Sequence, residues 1–195
     1  SEVERVFIAA GDGNDNIDGQ SGDDIIWGGA GNDILNGFTG NDVFHGNGGD
    51  DNIDGGNGFD TAVYDASISE FTFQRVGASL IIKHLGGAGS EGTDTVTNVE
   101  RLIFNDRVVN LGAGNNAPVA VDDSVSIAED SGSYSSGTHS VLDNDFDFDG
   151  DPLHVTPGTF VGTYGTLTMN ADGTYNYVLN ANAQTIAQGQ IGQDN

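Results

Sequence analysis

The sequence contains no cysteine, only three prolines and only five basic residues. The absence of cysteine excludes disulfides and thiolate-bound zinc or iron–sulfur centres. An extracellular chain without disulfides needs another means of stabilisation, and metal ions are the obvious candidate. No apolar run approaches the roughly 18 residues of a membrane-spanning helix, so no transmembrane segment is expected. The N-terminus also lacks the basic and apolar regions of a signal peptide. The chain is therefore expected to be an internal fragment or to be exported through another signal.

Acidic residues dominate what charge there is, with 30 Asp and Glu against 5 Lys and Arg and a formal net charge of −25. Such a chain is repelled by nucleic acid and by anionic membranes, so neither is an expected partner. It attracts hard cations, whose preferred ligands are oxygens. High net charge is also typical of disorder. Here, however, the acids recur at fixed intervals among 31 glycines and aliphatic residues, a regularity that a disordered segment does not require.

Residues 10–63 divide into six consecutive nonapeptides that share one pattern: AGDGNDNID, GQSGDDIIW, GGAGNDILN, GFTGNDVFH, GNGGDDNID and GGNGFDTAV. The fourth position is always glycine, the sixth is always aspartate and the eighth is always apolar. A fixed short period of this kind predicts a repeat architecture in which neighbouring turns stack. The sixth-position aspartates are Asp15, Asp24, Asp33, Asp42, Asp51 and Asp60.

The residue types explain the period. Glycine reaches positive φ without steric cost, so each G-x-x-G predicts a sharp turn with exposed carbonyl groups. The three residues after each aspartate predict a short strand whose middle side chain points inward. Two nonapeptides then complete one right-handed coil, which makes residues 1–63 a parallel β-roll. Odd repeats form one sheet and even repeats form the other.

Stacking of this kind brings the aspartates into two columns, with neighbouring carboxylates about one strand spacing apart. At about 5 Å they repel by roughly 1 kcal/mol in water and ~3–4 kcal/mol at an effective dielectric of 20. A divalent ion between turns reverses that repulsion, and a carbonyl-rich, flexible site suits calcium better than magnesium. The alternative is that the aspartates cap turns without metal. One column contains Asp15, Asp33 and Asp51, and the other contains Asp24, Asp42 and Asp60.

In these residues the chain resembles the RTX (hemolysin-type calcium-binding) repeat, G-G-x-G-x-D-x-U-x. The resemblance implies about four calcium ions held between turns two repeats apart, by turn carbonyls and sixth-position aspartates. It pairs Asp15 with Asp33, Asp33 with Asp51, Asp24 with Asp42, and Asp42 with Asp60. The second glycine of the motif is replaced by Gln20, Phe38 and Asn47, and the first by Ala10. Phe38 tolerates positive φ poorly, so its turn departs most from the motif.

Residues 64–111 are predicted to form a β-strand cap of the roll. The outward positions of the odd repeats are mostly polar, whereas those of the even repeats are mostly apolar and include Trp27 and His45. The even sheet is therefore expected to be covered by predicted strands at 71–76, 79–85 and 94–106, with Trp27 and His45 stacked beneath them. The motif GTDTVTNVERLIFND resembles the segment that closes many RTX rolls.

Residues 112–118, GAGNNAP, are predicted to be a linker to a second module at 119–195. VAVDDSVSIAED, GTLTMN and TYNYVLN predict antiparallel strands, and Asn170-Ala171-Asp172-Gly173 predicts a hairpin turn. The module resembles the VCBS/cadherin-like repeats of bacterial adhesins. That resemblance implies an Ig-like β-sandwich, and relative to the family the module is expected to be incomplete at its C-terminus.

A further calcium ion is expected in this module, because D-x-D-x-D-G spacing wraps oxygens around calcium. The alternative is a solvated acidic turn. An EF-hand does not fit, since Thr156 replaces the twelfth-position glutamate and Pro152 opposes a following helix. The candidate ligands are Asp145, Asp147 and Asp149.

No nucleophile–base motif occurs in the sequence, so the chain is expected not to be an enzyme. It is interpreted as a calcium-binding structural or adhesive segment of a large secreted or surface protein of a bacterium. Its expected partners are calcium and a host-surface or matrix glycan or protein. The alternative is an accessory calcium-binding roll of a secreted protease, lipase or polysaccharide-modifying enzyme. The resemblance to RTX proteins implies type I secretion and folding outside the cell.

Overall fold

The computed structural model describes residues 5–86, 91–112, 114–186 and 191–194. The chain separates into two units, Ser1–Asn116 and Ala117–Asn195, so the boundary lies inside the segment 112–118 that the sequence marks as a linker. The described secondary structure is β throughout, apart from three short 3-10 turns at Ile68–Glu70, Glu129–Ser131 and Ala183–Thr185. In the described part of the chain, no helix combines the length and the apolar character needed to cross a bilayer.

The first unit is built from short strands that follow the nonapeptide period and from longer strands after it. In its described part they are β1 (Phe7–Asp12), β2 (Asn16–Asp18), β3 (Ile25–Ala30), β4 (Ile34–Asn36), β5 (Val43–Gly48), β6 (Asn52–Asp54), β7 (Thr61–Val63), β8 (Phe71–Val76), β9 (Ser79–His84), β10 (Thr93–Thr97), β11 (Arg101–Ile103) and β12 (Val108–Asn110).

Strands from alternate repeats pair in parallel, as the period predicts. One sheet has the order β2-β4-β6-β10-β9-β8, and the other has the order β1-β3-β5-β7-β11-β12. The register sets identical repeat positions opposite each other, for example Ile17 against Leu35 and Ile26 against Phe44. The prediction of a parallel β-roll with odd and even sheets is confirmed, and the roll makes about three turns.

The core of the roll is a column of eighth-position side chains. Each middle residue of a repeat strand points between the two sheets, where it is shielded from water by the residues of the turns above and below. Burying one such side chain contributes roughly 1.5–3 kcal/mol. The members of this column are Ile17, Ile26, Leu35, Phe44, Ile53 and Ala62, and each is at most 7% exposed.

The parallel stacking begins before the first nonapeptide. β1 pairs with β3, with Phe7 opposite Ile25 and Ala9 opposite Trp27. Residues 7–9 therefore occupy the place of a repeat strand, although Val6 stands where the motif has aspartate. The repeat pattern alone did not reveal this additional half-turn.

The predicted cover over the even sheet is wrong. β10 adds to the edge of the odd-repeat sheet beside β6, with β9 and β8 following it. β11 adds to the edge of the even-repeat sheet beside β7, and β12 follows. The segment after the repeats thus closes the end of the roll instead of lying across its face. It does so because the last strands present unpaired backbone N–H and C=O groups that only another strand can satisfy.

As a result, Trp27 is not beneath a cover. The indole is 39% exposed, and its ring stacks on that of His45 with centroids 4.1 Å apart. Ladder stacking of Trp27 and His45 is confirmed, but a charge at position 27 would face solvent and not a buried interface. We therefore expect substitutions there to cost much less than substitutions at the buried eighth positions.

An aromatic cluster in the closing segment seals the hydrophobic column. Tyr64 lies against Phe71 at 5.2 Å and stacks on Phe104 at 5.3 Å between ring centroids. All three side chains are at most 5% exposed. Leu102 of β11 lies opposite Ala62 and is fully buried, so the column continues into the closing segment that carries these rings.

The second unit contains a four-stranded antiparallel sheet of order β13-β16-β15-β14. The predicted hairpin is confirmed, because the N–H of Gly173 donates to the carbonyl of Asn170 at 3.0 Å between β15 and β16. The strands are β13 (Ser133–Ser135), β14 (Gly158–Val161), β15 (Gly165–Met169) and β16 (Tyr175–Leu179).

A strand prediction in this unit is wrong. Residues 119–130 form no strand beyond the single bridge between Val119 and Phe146. Their alternation of apolar and polar residues is typical of a strand, but no neighbouring segment of the described chain forms a hydrogen-bond ladder along them. The four-stranded sheet corresponds to one layer of the expected sandwich. Outside that sheet, the bridge between Val119 and Phe146 is the one further β pairing among the described residues 117–186 and 191–194.

Candidate metal centre

The turns of the roll depend on backbone conformations that the motif encodes. Each fourth-position glycine has a positive φ, from +113° at Gly13 to +152° at Gly58. A Cβ on Gly40 would collide with the carbonyl oxygen of Gly22 one turn away. Glycine is therefore required at this position both for its φ and for the close approach of successive turns.

The second motif position also adopts positive φ where glycine is replaced. Gln20, Phe38 and Asn47 have φ of 78°, 69° and 69°. The Phe38 turn thus keeps the motif geometry, and the departure expected from its side chain does not occur. The stack overrides the local preference of Phe38, because its carbonyl accepts a hydrogen bond from the N–H of Asn57 at 2.8 Å.

The sixth-position aspartates form the two columns that the period predicts. Asp15, at the start of its column, is half-buried, whereas the other five are at most 2% exposed. In each of these five, Oδ1 of the carboxylate accepts a hydrogen bond from the N–H one turn earlier, which for Asp24 belongs to Val6 (2.7 Å) and for the other four to an aspartate. These bonds join Asp15 to Asp33 (2.9 Å), Asp24 to Asp42 (2.8 Å), Asp33 to Asp51 (2.8 Å) and Asp42 to Asp60 (2.7 Å).

The second carboxylate oxygen of each buried aspartate has no hydrogen-bond partner. Buried acceptors without a partner are rare and costly in proteins, and an ionised one more so. A group that supplies positive charge at these oxygens would remove the cost. The atoms concerned are the Oδ2 atoms of Asp24, Asp33, Asp42, Asp51 and Asp60.

Backbone carbonyls lie beside these unpaired oxygens. A Cβ on Gly28 would overlap Oδ2 of Asp33 and lie 3.0 Å from the carbonyl oxygen of Gly46. A Cβ on Gly37 would likewise overlap Oδ2 of Asp42 and lie 2.6 Å from the carbonyl oxygen of Gly55. The first-position glycine thus leaves a small space bordered by a carboxylate oxygen and a carbonyl oxygen, which are the donor atoms that calcium prefers.

Side chains alone do not complete such a site. Among the described residues, no three Asp, Glu or His side chains converge as a metal-binding group. A cation held here must therefore take a large share of its ligands from the turn carbonyls, as calcium readily does and magnesium does not.

Comparison with known families finds two matches along the chain. Residues 9–37 and 31–62 match the RTX calcium-binding nonapeptide repeat, and residues 115–194 match the bacterial cadherin-like domain. The chain carries an RTX repeat roll followed by a bacterial cadherin-like domain. RTX repeats bind calcium, and both kinds of domain are structural and not catalytic. Such domains occur in secreted or surface proteins.

A similar solved structure is that of the extracellular lipase LipA from Serratia marcescens. The similarity covers 53% of this chain at 26% identity, with a TM-score of 0.38. It covers 15% of the lipase chain, so this chain spans a small part of that protein's length. Comparison with curated proteins finds no match.

Burial and mutual repulsion perturb the carboxylates of the RTX roll. Burial, followed by the charge of Asp33, raises the pKa of Asp51 to about 6. Burial, followed by the charges of Asp42 and Glu100, raises the pKa of Asp60 to about 6. In the closing segment, burial and then the Asp51 charge raise the pKa of Asp94 to about 8. At neutral pH the metal-free roll must therefore either bind protons or hold unfavourable negative charge.

This predicts a pH dependence of the metal-free chain. A carboxyl group whose pKa is raised on folding binds its proton more tightly in the folded state, so protonation stabilises that state. The stabilisation is complete below the ordinary pKa of 3.8 and is lost as the pH rises through about 6 for Asp51 and Asp60 and about 8 for Asp94. When calcium is removed with a chelator, the far-UV circular dichroism signal of β structure should be larger at about pH 5.5 than at about pH 8.5. A larger signal at the higher pH would contradict it.

The fifth position carries a separate, exposed ladder. Oδ1 of Asp23 accepts a hydrogen bond from the N–H of Asn41 at 2.7 Å, and Asp50 does the same for Thr93 at 2.7 Å. Both aspartates are exposed, outside the two buried columns of sixth-position aspartates. This outer ladder was not anticipated, although asparagine or aspartate at most fifth positions is its sequence signal.

Two acids outside the nonapeptides were also missed. The N–H of Asp51 donates to Oδ1 of Asp94 at 2.9 Å, and the N–H of Asp60 donates to Oε2 of Glu100 at 2.7 Å. These bonds repeat those inside the roll. The segment Gly92-Thr93-Asp94-Thr95-Val96 keeps the motif glycine, aspartate and apolar positions, so it could have been found as a displaced repeat.

In the cadherin-like domain the structure divides the three candidate ligands. Oδ1 of Asp147 accepts hydrogen bonds from the N–H groups of Asp149 and Asp151, at 2.8 and 3.2 Å. Oδ1 of Asp145 instead accepts one from the N–H of Val121 at 2.8 Å. The charge of Asp145 adds to burial in raising the pKa of Asp123. Oδ1 of Asp145 and Oδ1 of Asp147 thus hold different backbone segments, the first at Val121 and the second within the turn at Asp149 and Asp151.

Proposed function

We propose that this chain is a calcium-locked structural segment of a secreted or surface protein, in which the RTX roll folds around calcium outside the cell. The observation that carries this proposal is the row of buried, unpaired Oδ2 atoms beside turn carbonyls. Calcium would supply the positive charge that these oxygens lack, and it suits sites rich in carbonyl oxygens. In a cytosol poor in calcium the roll would stay unfolded and exportable.

The metal ligands of the roll would be the six sixth-position aspartates with carbonyls of neighbouring turns. About four ions would lie between successive members of the two columns. The chain's own residues set the spacing, because the Oδ1 bonds and the glycine turns hold successive carboxylates one strand spacing apart. The candidate members are Asp15, Asp24, Asp33, Asp42, Asp51 and Asp60.

We also propose one calcium ion in the cadherin-like domain and an adhesive role for that domain. Asp145, Asp147 and Asp149 would provide carboxylate ligands, with Asp147 only 7% exposed in its turn. The adhesive partner would be a glycan or protein of a host surface or matrix, and the order of a roll followed by a cadherin-like domain supports this role. Binding of the calcium-loaded chain to immobilised glycans or matrix proteins, abolished by chelation, would support it.

Equilibrium dialysis of the chelator-treated chain against calcium tests the proposal. The wild-type chain should bind at least about five ions, and the Asp147→Ala variant should bind about one fewer than wild type while the roll keeps its full complement. Magnesium in place of calcium should bind far more weakly. A wild-type chain that binds no calcium would overturn the proposed function. An unchanged count in Asp147→Ala would overturn only the site in the cadherin-like domain.

A further inference from the structure

The closing segment contains a displaced repeat. β10 pairs in parallel with β6, so that Val96 lies opposite the buried Ile53. Gly92 has a φ of +66°, and a Cβ on it would collide with the carbonyl oxygen of Gly49. Gly92 therefore occupies the place of a fourth-position glycine, two positions before Asp94, as in every nonapeptide of the roll.

Asp94 continues the first carboxylate column. Its side chain is 1% exposed, and its Oδ1 accepts the hydrogen bond from Asp51 that a following repeat would accept. Oδ2 of Asp51 is buried without a hydrogen-bond partner. The hydroxyl of the buried Tyr64 also lies near the Asp94 carboxylate.

Glu100 continues the second column. β11 pairs in parallel with β7 immediately after it, and Oε2 of Glu100 accepts the hydrogen bond from the N–H of Asp60. A Cβ on Gly55 would lie 2.8 Å from Oδ2 of Asp60 and would overlap the carbonyl oxygen of Asn98. At Gly37, inside the roll, the same place is taken by Oδ2 of Asp42 and the carbonyl oxygen of Gly55. Asn98 thus supplies the carbonyl that a further nonapeptide would have supplied.

We propose that the closing segment adds one calcium position to each column, one between Asp51 and Asp94 and one between Asp60 and Glu100. The inference rests on the proposed calcium-binding function of the roll. The unpaired Oδ2 atoms of Asp51 and Asp60 would otherwise face a neighbouring carboxylate without a compensating charge. The same ions would tie the closing segment to the repeats, so that the roll and its cap fold together.

Isosteric variants of the full chain test this inference. Asp94→Asn and Glu100→Gln keep an oxygen acceptor for the N–H groups of Asp51 and Asp60 but remove a charged ligand. In equilibrium dialysis each variant should bind about one calcium ion fewer than wild type, and the double variant about two fewer. The matched controls are Asp50→Asn and Asp106→Asn, whose exposed carboxylates also accept backbone N–H groups in this region. Both controls should bind the wild-type number.

The outcomes separate the two proposals. If the wild-type chain binds calcium and Asp94→Asn and Glu100→Gln bind just as many ions, the additional positions are overturned and the calcium roll stands. If the wild-type chain binds none, the proposed function itself fails. Should Asp94→Asn not fold in calcium, Asp94→Glu restores the charge and is expected to restore folding and the ion count. Failure of Asp94→Glu to do so would assign Asp94 to packing alone and overturn its position.

Discussion

Removal of calcium at neutral pH is expected to abolish most of the β structure of the RTX roll. Without a cation, each buried column holds carboxylates about 5 Å apart, which repel by roughly 3–4 kcal/mol per neighbouring pair at an effective dielectric of 20. A domain of this size has a net stability of only about 5–15 kcal/mol, so a few such pairs outweigh it. The net charge of −25 adds to the repulsion. Restoring calcium should return the far-UV circular dichroism signal in one cooperative step, because each turn is stable only when it is packed against its neighbours.

A probe specific to the roll strengthens this measurement. Trp27 is the one tryptophan of the sequence, and its ring stacks on His45 across two turns of the even sheet. Its fluorescence should therefore change together with the circular dichroism signal as calcium is added. Magnesium at the same concentration serves as the control and should produce far less of either change. A chelated chain that already shows the full β signal at neutral pH would contradict the prediction.

Substitution of a central aspartate should have the second largest effect. Asp42 lies between Asp24 and Asp60: it accepts a hydrogen bond from the first and donates one to the second. Asp42→Ala would remove a ligand from two proposed positions and interrupt the stack in its middle. We expect it to bind about two ions fewer and to need at least about tenfold more calcium for half-maximal folding, equivalent to about 1.4 kcal/mol.

Two variants of the same type provide the comparison. Asp15 is half-buried at the start of its column, so Asp15→Ala should fray only that end and lose about one ion. Asp23 is exposed at a fifth position, and Asp23→Ala should leave the ion count unchanged. Calcium titrations of the three variants by circular dichroism and calorimetry would show the order. Equal effects of Asp23→Ala and Asp42→Ala would show that the assignment of ligands to the sixth position is wrong.

Much of the roll was predictable because its information is local. A glycine that needs positive φ, an aspartate two residues later and an apolar residue two after that specify a turn and an inward side chain within nine residues. Six repeats in phase then determine which strands pair, since only identical positions can stack without turning Ile26 or Phe44 to the outside. The substitution of Phe38 did not disturb this, because neighbouring turns hold its backbone by hydrogen bonds.

The cadherin-like domain was less predictable from pattern. β15, β16 and the turn between them follow from alternation around Asn170 to Gly173. The segment 119–130 shows similar alternation but forms no ladder apart from the bridge at Val119. Alternation records which residues could lie on one face of a strand, whereas a strand also requires a partner for its backbone groups.

The sequence by itself determined the parallel roll, the membership of its two sheets, the two aspartate columns and the presence of the RTX calcium-binding repeat. Each of these depends on residues close together in the chain or repeated in phase. Only the tertiary structure decided where the closing segment pairs, that Trp27 stays at the surface, and that Asp94 and Glu100 extend the columns. Those outcomes depend on the edges of β6 and β7, whose backbone N–H and C=O groups form hydrogen bonds with β10 and β11 at the end of the roll. Edge hydrogen bonding joins residues about 40 positions apart in the chain, as between Asp51 and Asp94, and leaves little trace in the local pattern.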